Sequence, residues 1–225
     1  MAVRDNVYSI RSRINSACER SGRNIDDITI IGVTKTFEAD KIAEAVKCGI
    51  TNVAENRVQE LVRKYDDVNG VSWHLIGHLQ TNKVKYIADK VSLIHSVDSI
   101  KLATEIDKQA EKVGRVIDVL IEVNVSGEES KFGVSPDELD ELLLGMSDLS
   151  HIKVQGLMTM APLYAEKDEI RQIFKKMYKI FIDNRAKKYN NINMGILSMG
   201  MSNDFEIAIE EGATMVRIGR AMFAD

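Results

Sequence analysis

Only two prolines, Pro136 and Pro162, and two cysteines, Cys18 and Cys48, occur in the 225 residues. The cysteines are too few and too isolated for a disulfide framework, or for a structural zinc site, which wants four ligands in close pairs. They read as buried or half-buried thiols in a reducing cytosol, and no metal site is expected. With so little proline and no Ser/Gly-rich stretch, no domain boundary is visible, and one domain over residues 1–225 is expected. A basic excess is also missing: 30 Lys and Arg stand against 34 Asp and Glu, a formal charge of -4. Nucleic acid is therefore excluded as the main partner. No apolar run approaches the roughly 20 residues of a membrane span, and Met1-Ala2-Val3-Arg4 meets charge at once, which predicts a soluble, unsecreted, cytoplasmic protein. What the chain does have is apolar substance, 44% against 28% charged, enough for a sizeable core and too much for a disordered chain.

Short β-branched runs alternate with amphipathic stretches along the whole chain, the pattern of βα units and a parallel sheet. The spacing predicts strands over Ile28–Thr34, Ile50–Ala54, Val71–Ile76, Ser92–Val97, Asp118–Asn124, Lys153–Met160, Ile192–Met199 and Thr214–Ile218. Helices are expected over Asp40–Lys47, Arg57–Tyr65, Asn82–Lys90, Ile100–Lys112, Pro136–Leu144, Lys167–Lys188 and Phe205–Glu211, with an extra one, about residues 3–20, before the first strand. Ser135-Pro136-Asp137-Glu138 has the order of a helix start, and Gly49 and Gly212 stand where helices stop. Such a chain builds either a closed (β/α)8 TIM barrel or an open doubly wound sheet. Even alternation and a length near the ~250 residues of an eightfold barrel favour closure.

In that fold the chemistry sits at the carboxyl ends of the strands. Lys35 follows the first strand and shares parity with Ile31 and Val33. If that face is the interior, its amine enters the mouth partly desolvated and can attack an aldehyde. Met199-Gly200-Met201-Ser202-Asn203-Asp204 leaves the seventh strand for a helix with Ser202 or Asn203 as its cap, and Gly219-Arg220 leaves the eighth. Two adjacent helix starts make an anion site, at the place where this fold most often holds phosphate. An amine and a phosphate site together describe pyridoxal phosphate, or a phosphorylated sugar in an aldolase. His74 and His78 bracket a strand end without an acid partner or metal cluster and read as packing or rim hydrogen bonding. Lys131 is a second amine near the rim, equally readable as a solvated loop lysine, and the long helix from Asp168 carries no assigned chemistry.

Six ordered motifs give the chain a resemblance along almost its whole length. They are Val33-Thr34-Lys35, the run from Glu55 to Glu60, Trp73 to Lys83, Ser126 to Gly133, Gly156 to Met160, and Ser198 to Ser202 with Val216-Arg217-Ile218-Gly219. The chain resembles the pyridoxal phosphate homeostasis proteins, which share the fold type III barrel of the alanine racemase N-terminal domain. The resemblance implies a Schiff base on Lys35, with Asn56, Met201, Ser202, Arg217 and Gly219 as further cofactor-binding residues. Ser202, Gly219 and neighbouring amides would take the phosphate, and Arg217 would face the pyridine nitrogen. An arginine there only donates, so the cofactor becomes a weak electron sink. Racemases of this type carry a second domain whose tyrosine is an acid/base. The sequence stops at Asp225 without it, so a cofactor-holding protein with no catalytic residue is expected, its partners being apo-enzymes that use the cofactor. A monomer is expected as well. A minimal racemase or a lysine-imine aldolase is the alternative.

Overall fold

Eight parallel strands close into a barrel in which each strand pairs with the next and β8 returns to β1. The computed structural model describes residues 3–128, 131–162, 164–187 and 189–224. In chain order the strands are β1 (Thr29–Val33), β2 (Asn52–Glu55), β3 (Ser72–Leu75), β4 (Leu93–Val97), β5 (Ile117–Glu122), β6 (Ile152–Met158), β7 (Ile192–Ser198) and β8 (Met215–Ile218). The helices are α1 (Val3–Ser21), α2 (Ala39–Lys47), α3 (Val58–Lys64), α4 (Ile100–Lys112), α5 (Leu139–Met146), α6 (Lys167–Arg185), α7 (Phe205–Glu210) and α8 (Arg220–Phe223).

Strand residues alternate between two cores, as the period of two requires. Val53, Leu75, Ile94, Val119, Leu157, Leu197 and Val216 pack outward against the helices. Ile31, Ala54, Leu93, Leu120, Met158 and Met215 form a separate inner cluster that plugs the barrel. Below the mouth the interior is therefore packed, and a ligand can enter only at the strand ends.

The N-terminal helix replaces a missing piece of the outer ring. α8 is only four residues long, and a helix of that length cannot cover β8 and β1. α1 lays Val3, Val7, Ile10, Ile14 and Ala17 at helical spacing into the core and packs against α2, α7 and α8. Asn6 Nδ2 donates to the carbonyls of Met222 at 3.1 Å and Ala224 at 3.0 Å, tying the end of the chain down.

Several boundaries differ from the sequence expectation. Residues Thr81–Tyr86 form a 3-10 helix, not an α-helix, and buried Val84 and Ile87 have the three-residue spacing that this tighter turn satisfies. The expected helix start at Pro136 is a turn. Glu138 Oε2 accepts from the Ser135 hydroxyl at 2.7 Å and amide at 3.1 Å, and α5 begins only at Leu139. Glu129 and Ser130 of the loop motif, and Lys188 at the expected end of the long helix, lie outside the described residues.

Candidate functional site

Lys35 leaves β1 in a tight turn. The Thr34 amide still donates to Ala54 at 2.9 Å, and Phe37 N donates to Thr34 O at 3.1 Å, leaving Lys35 and Thr36 at the two central positions. Thr36 has φ 69°, a left-handed conformation that a β-branched residue resists. A buried ion pair holds the turn from behind. Lys64 Nζ lies 2.7 Å from Glu55 Oε1, each residue 1% exposed, and donates to Thr34 O at 2.9 Å. The Thr34 hydroxyl donates to the same Glu55 oxygen at 2.6 Å. Lys35 itself is exposed and makes no ion pair or hydrogen bond among the described residues. The expected partial desolvation is absent, because the turn carries the side chain past the strand end to the rim.

Lys35, Asn56, Met201, Ser202, Arg217 and Gly219 all line one cavity of about 240 Å³ at the carboxyl ends of the strands, with Val33, Ile76 and Met160 as apolar wall. Asn56 is seated by close packing. A Cβ on Gly77 would stand 2.1 Å from the Asn56 carbonyl oxygen, and the Ser96 hydroxyl holds Gly77 O at 2.7 Å. Asn56 Oδ1 is buried with no hydrogen-bond partner among the described residues.

The anion side of the cavity differs from expectation in one respect. The cap of α7 is Asp204, not Ser202 or Asn203, and the Ser202 hydroxyl instead accepts from the Ala221 amide of α8 at 3.4 Å. One hydroxyl thus joins the two loops. Helices of six and four residues contribute little dipole, so the binding capacity lies in the amides themselves. Those of Ser202, Asn203, Gly219 and Arg220 have no acceptor among the described residues. Met201 is already engaged: its amide donates to Asp204 Oδ1 and its carbonyl takes the amides of Asp204 and Phe205. Its side chain is what it offers the cavity. Gly200 (φ 92°) lets this loop lie against α7, since a Cβ there would stand 2.5 Å from that of Ala208.

Arg217 is 3% exposed and donates from Nη1 to Ser198 Oγ at 2.7 Å and from Nη2 to Thr159 O at 3.0 Å. Burial lowers its pKa to about 10, opposed by the charges of Asp204 and Glu122, so it remains a cation at neutral pH. Asp204 is pushed up by burial, and so is Glu122, to about 7, with Arg217 pulling it back and Asp98 adding to the rise. Sequence reasoning named Asp204 and Arg220 only as members of the loops after the seventh and eighth strands and gave Glu122 no role, and pattern alone does not say that a carboxylate at a strand end is buried. His78 stacks on Phe132 with ring centroids 3.9 Å apart, the packing expected of it, but it also lies 3.5 Å from Asp98, an acid neighbour that the sequence reading did not expect and that the fold brings from the end of β4. Lys131 Nζ reaches Met160 O at 3.4 Å and Glu128 at 3.6 Å.

A closed parallel barrel with a free lysine, a buried arginine and a cluster of open amides at one mouth defines a barrel of the alanine racemase N-terminal class, and the model of that family, "Alanine racemase, N-terminal domain", matches residues 5–225. The chain is 47% identical over 223 residues to the pyridoxal phosphate homeostasis protein of Aquifex aeolicus (strain VF5), covering 98% of this chain and 97% of that one. It is 37% identical over 227 residues to the protein of that name from Escherichia coli (strain K12), at 98% and 95% coverage. The structure of PipY from Synechococcus elongatus with pyridoxal phosphate bound superposes with a TM-score of 0.86 at 31% identity, covering 99% and 100% of the two chains. The chain belongs to the pyridoxal phosphate homeostasis protein family, on the barrel of the alanine racemase N-terminal domain.

Proposed function

We propose that this protein binds pyridoxal phosphate at the barrel mouth and holds it as a store of the free cofactor, with Lys35 as the amine that takes the aldehyde. The observation that carries this reading is the single cavity shared by Lys35, Asn56, Ser202, Arg217 and Gly219. The residues present fit the group: an unpaired amine, an orphaned acceptor on Asn56, and open amides around the Ser202 hydroxyl. When bound, pyridoxal phosphate supplies an aldehyde that condenses with amines, and a ring that can draw off electrons. The chain's own residues decide how far the second property is used. Arg217 offers the cavity only donors and keeps its charge, so it gives a ring nitrogen no proton acceptor and opposes a positive charge there. Amides and hydroxyl would grip the phosphate by charge-assisted hydrogen bonds.

We further place the protein in the cytoplasm as a monomer that passes cofactor to apo-enzymes. Two free cysteines support the compartment. The test is equilibrium binding of pyridoxal phosphate followed by its visible band. Wild type is expected to show the band. Lys35→Ala should lose it while retaining weaker binding, and Ser202→Ala should weaken binding by about 1 kcal/mol or more, roughly fivefold. A visible band in Lys35→Ala, or unchanged affinity in Ser202→Ala, would overturn the assignment.

A further inference from the structure

Behind Arg217 a line of side chains crosses the plugged interior of the barrel. Ser198 Oγ, which accepts from Arg217 Nη1 at 2.7 Å, lies 3.1 Å from His95 Nδ1. His95 Nε2 lies 2.9 Å from His74 Nδ1, and His74 Nε2 lies 3.3 Å from Asn52 Oδ1. Asn52 closes the line near the amino-terminal end of the barrel, its Nδ2 donating to Thr51 Oγ1 at 3.4 Å. Five strands, β8, β7, β4, β3 and β2, each contribute one member. Ser198 and His95 are fully buried and His74 is 4% exposed.

Elementary donor and acceptor counting gives this line a direction. Arg217 is a cation with donors only, so Ser198 Oγ accepts from it. The Ser198 oxygen has a second lone pair, so the direction is set from the far end: Asn52 Oδ1 only accepts, which puts the proton of neutral His74 on Nε2 and that of neutral His95 on Nε2, and leaves His95 Nδ1 bare to take the serine proton. His95 carries its proton on Nε2 and donates to bare Nδ1 of His74, and His74 in turn donates from Nε2 to the Asn52 carbonyl. Every ring nitrogen is satisfied with both imidazoles neutral. Burial favours that state in both rings, and the nearby charge of Arg217 adds to it at His95. The inner side of the guanidinium is thereby faced by acceptors, Ser198 Oγ and Thr159 O, and Thr159 is itself held through its hydroxyl to Val123 O at 2.8 Å.

We propose that Ser198, His95 and His74 are positioning residues for Arg217: their one-way chain keeps an acceptor against the inner face of the guanidinium and so sets which donors it turns into the cavity. The proposal deepens the cofactor reading and rests on it for its consequence, but the chain itself can be tested on protein without ligand. Long-range proton–nitrogen NMR of 15N-labelled wild type, with the four histidines assigned by single substitution, is expected to show His74 and His95 neutral at pH 7 with the proton on Nε2. A charged ring, or a proton on Nδ1 of either, overturns the proposal. His95→Leu is expected to speed exchange of the Arg217 guanidinium protons by about fivefold or more, the loss of one buried hydrogen bond. His95→Gln, which can accept from Ser198 and donate to His74, should restore slow exchange, and the visible maximum of bound pyridoxal phosphate should shift in the first variant and return in the second. Should His95→Leu fail to fold, Ser198→Ala carries the same measurement. Equal exchange in wild type and the broken-chain variant contradicts the proposal. Absence of any visible band in wild type strikes the cofactor reading alone and leaves the tautomer result to decide the chain.

Discussion

Glu122 is a buried carboxyl at the end of β5, and its pKa near 7 makes a testable statement about stability. The folded value lies above the ordinary carboxylate value of 4.5, so the native state binds this proton more tightly than the unfolded chain does. Its contribution is full below pH 4.5 and lost as pH rises toward 7. Glu122→Gln is therefore expected to unfold at higher urea than wild type at pH 8, by up to about 3 kcal/mol, and to match it at pH 4.5. His74 works in the opposite sense, since burial depresses it to about 4: its contribution is present above pH 6.5 and disappears as pH falls toward 4. A Glu122→Gln difference that grows toward acid would show the carboxyl is not destabilised by burial. Lys64 makes a second case. Its removal strands the charge of Glu55, 1% exposed, so Lys64→Met should cost about 3–5 kcal/mol in denaturant melts. A loss under 1 kcal/mol would mean that the pair does not brace the Lys35 turn.

At the level of elements, α1 supports the anion side of the site, because it packs on α7 and α8, whose preceding loops carry the open amides. Ile14 is fully buried, so Ile14→Ala should destabilise by about 2–5 kcal/mol. Asn6→Ala removes both ties to the chain end and should cost about 1–2 kcal/mol and weaken binding of pyridoxal phosphate. Tyr8, 60% exposed on the same helix, serves as the control, and Tyr8→Ala should stay within about 0.5 kcal/mol. If Asn6→Ala leaves affinity untouched, α1 supports the fold but not the site. The strands and most helices were legible in the sequence because a barrel imposes one period on every unit. Their ends were not. Ser135-Pro136-Asp137-Glu138 reads as a helix start, yet Glu138 spends its carboxylate on Ser135, a choice that local pattern cannot reveal. Ser202 reads as a cap of its own helix, and only the closed barrel brings α8 near enough for it to serve Ala221.

For the molecule as a whole, the residue pattern pointed to the mouth of the barrel at Lys35, the resemblance pointed to Arg217, and both line the same cavity. The site was illegible where meaning depends on the opposite wall. His74 looked like packing beside His78, whereas three-dimensional closure sets it against His95 and, through Ser198, behind Arg217. Glu55 and Lys64 belong to a motif and an amphipathic helix in sequence, and become a brace only when β2 and α3 meet behind Thr34. The barrel thus separates three tasks: an outer core that holds the ring of strands, an inner plug that seals it, and a mouth left polar at one end. The claim on which the account turns is that the mouth joins Lys35 to the aldehyde of pyridoxal phosphate. Borohydride reduction of the loaded protein followed by peptide mass mapping measures that bond directly. The account predicts a pyridoxyl mass on Lys35. The same mass confined to Lys131 or another lysine, with Lys35 unmodified, would contradict it.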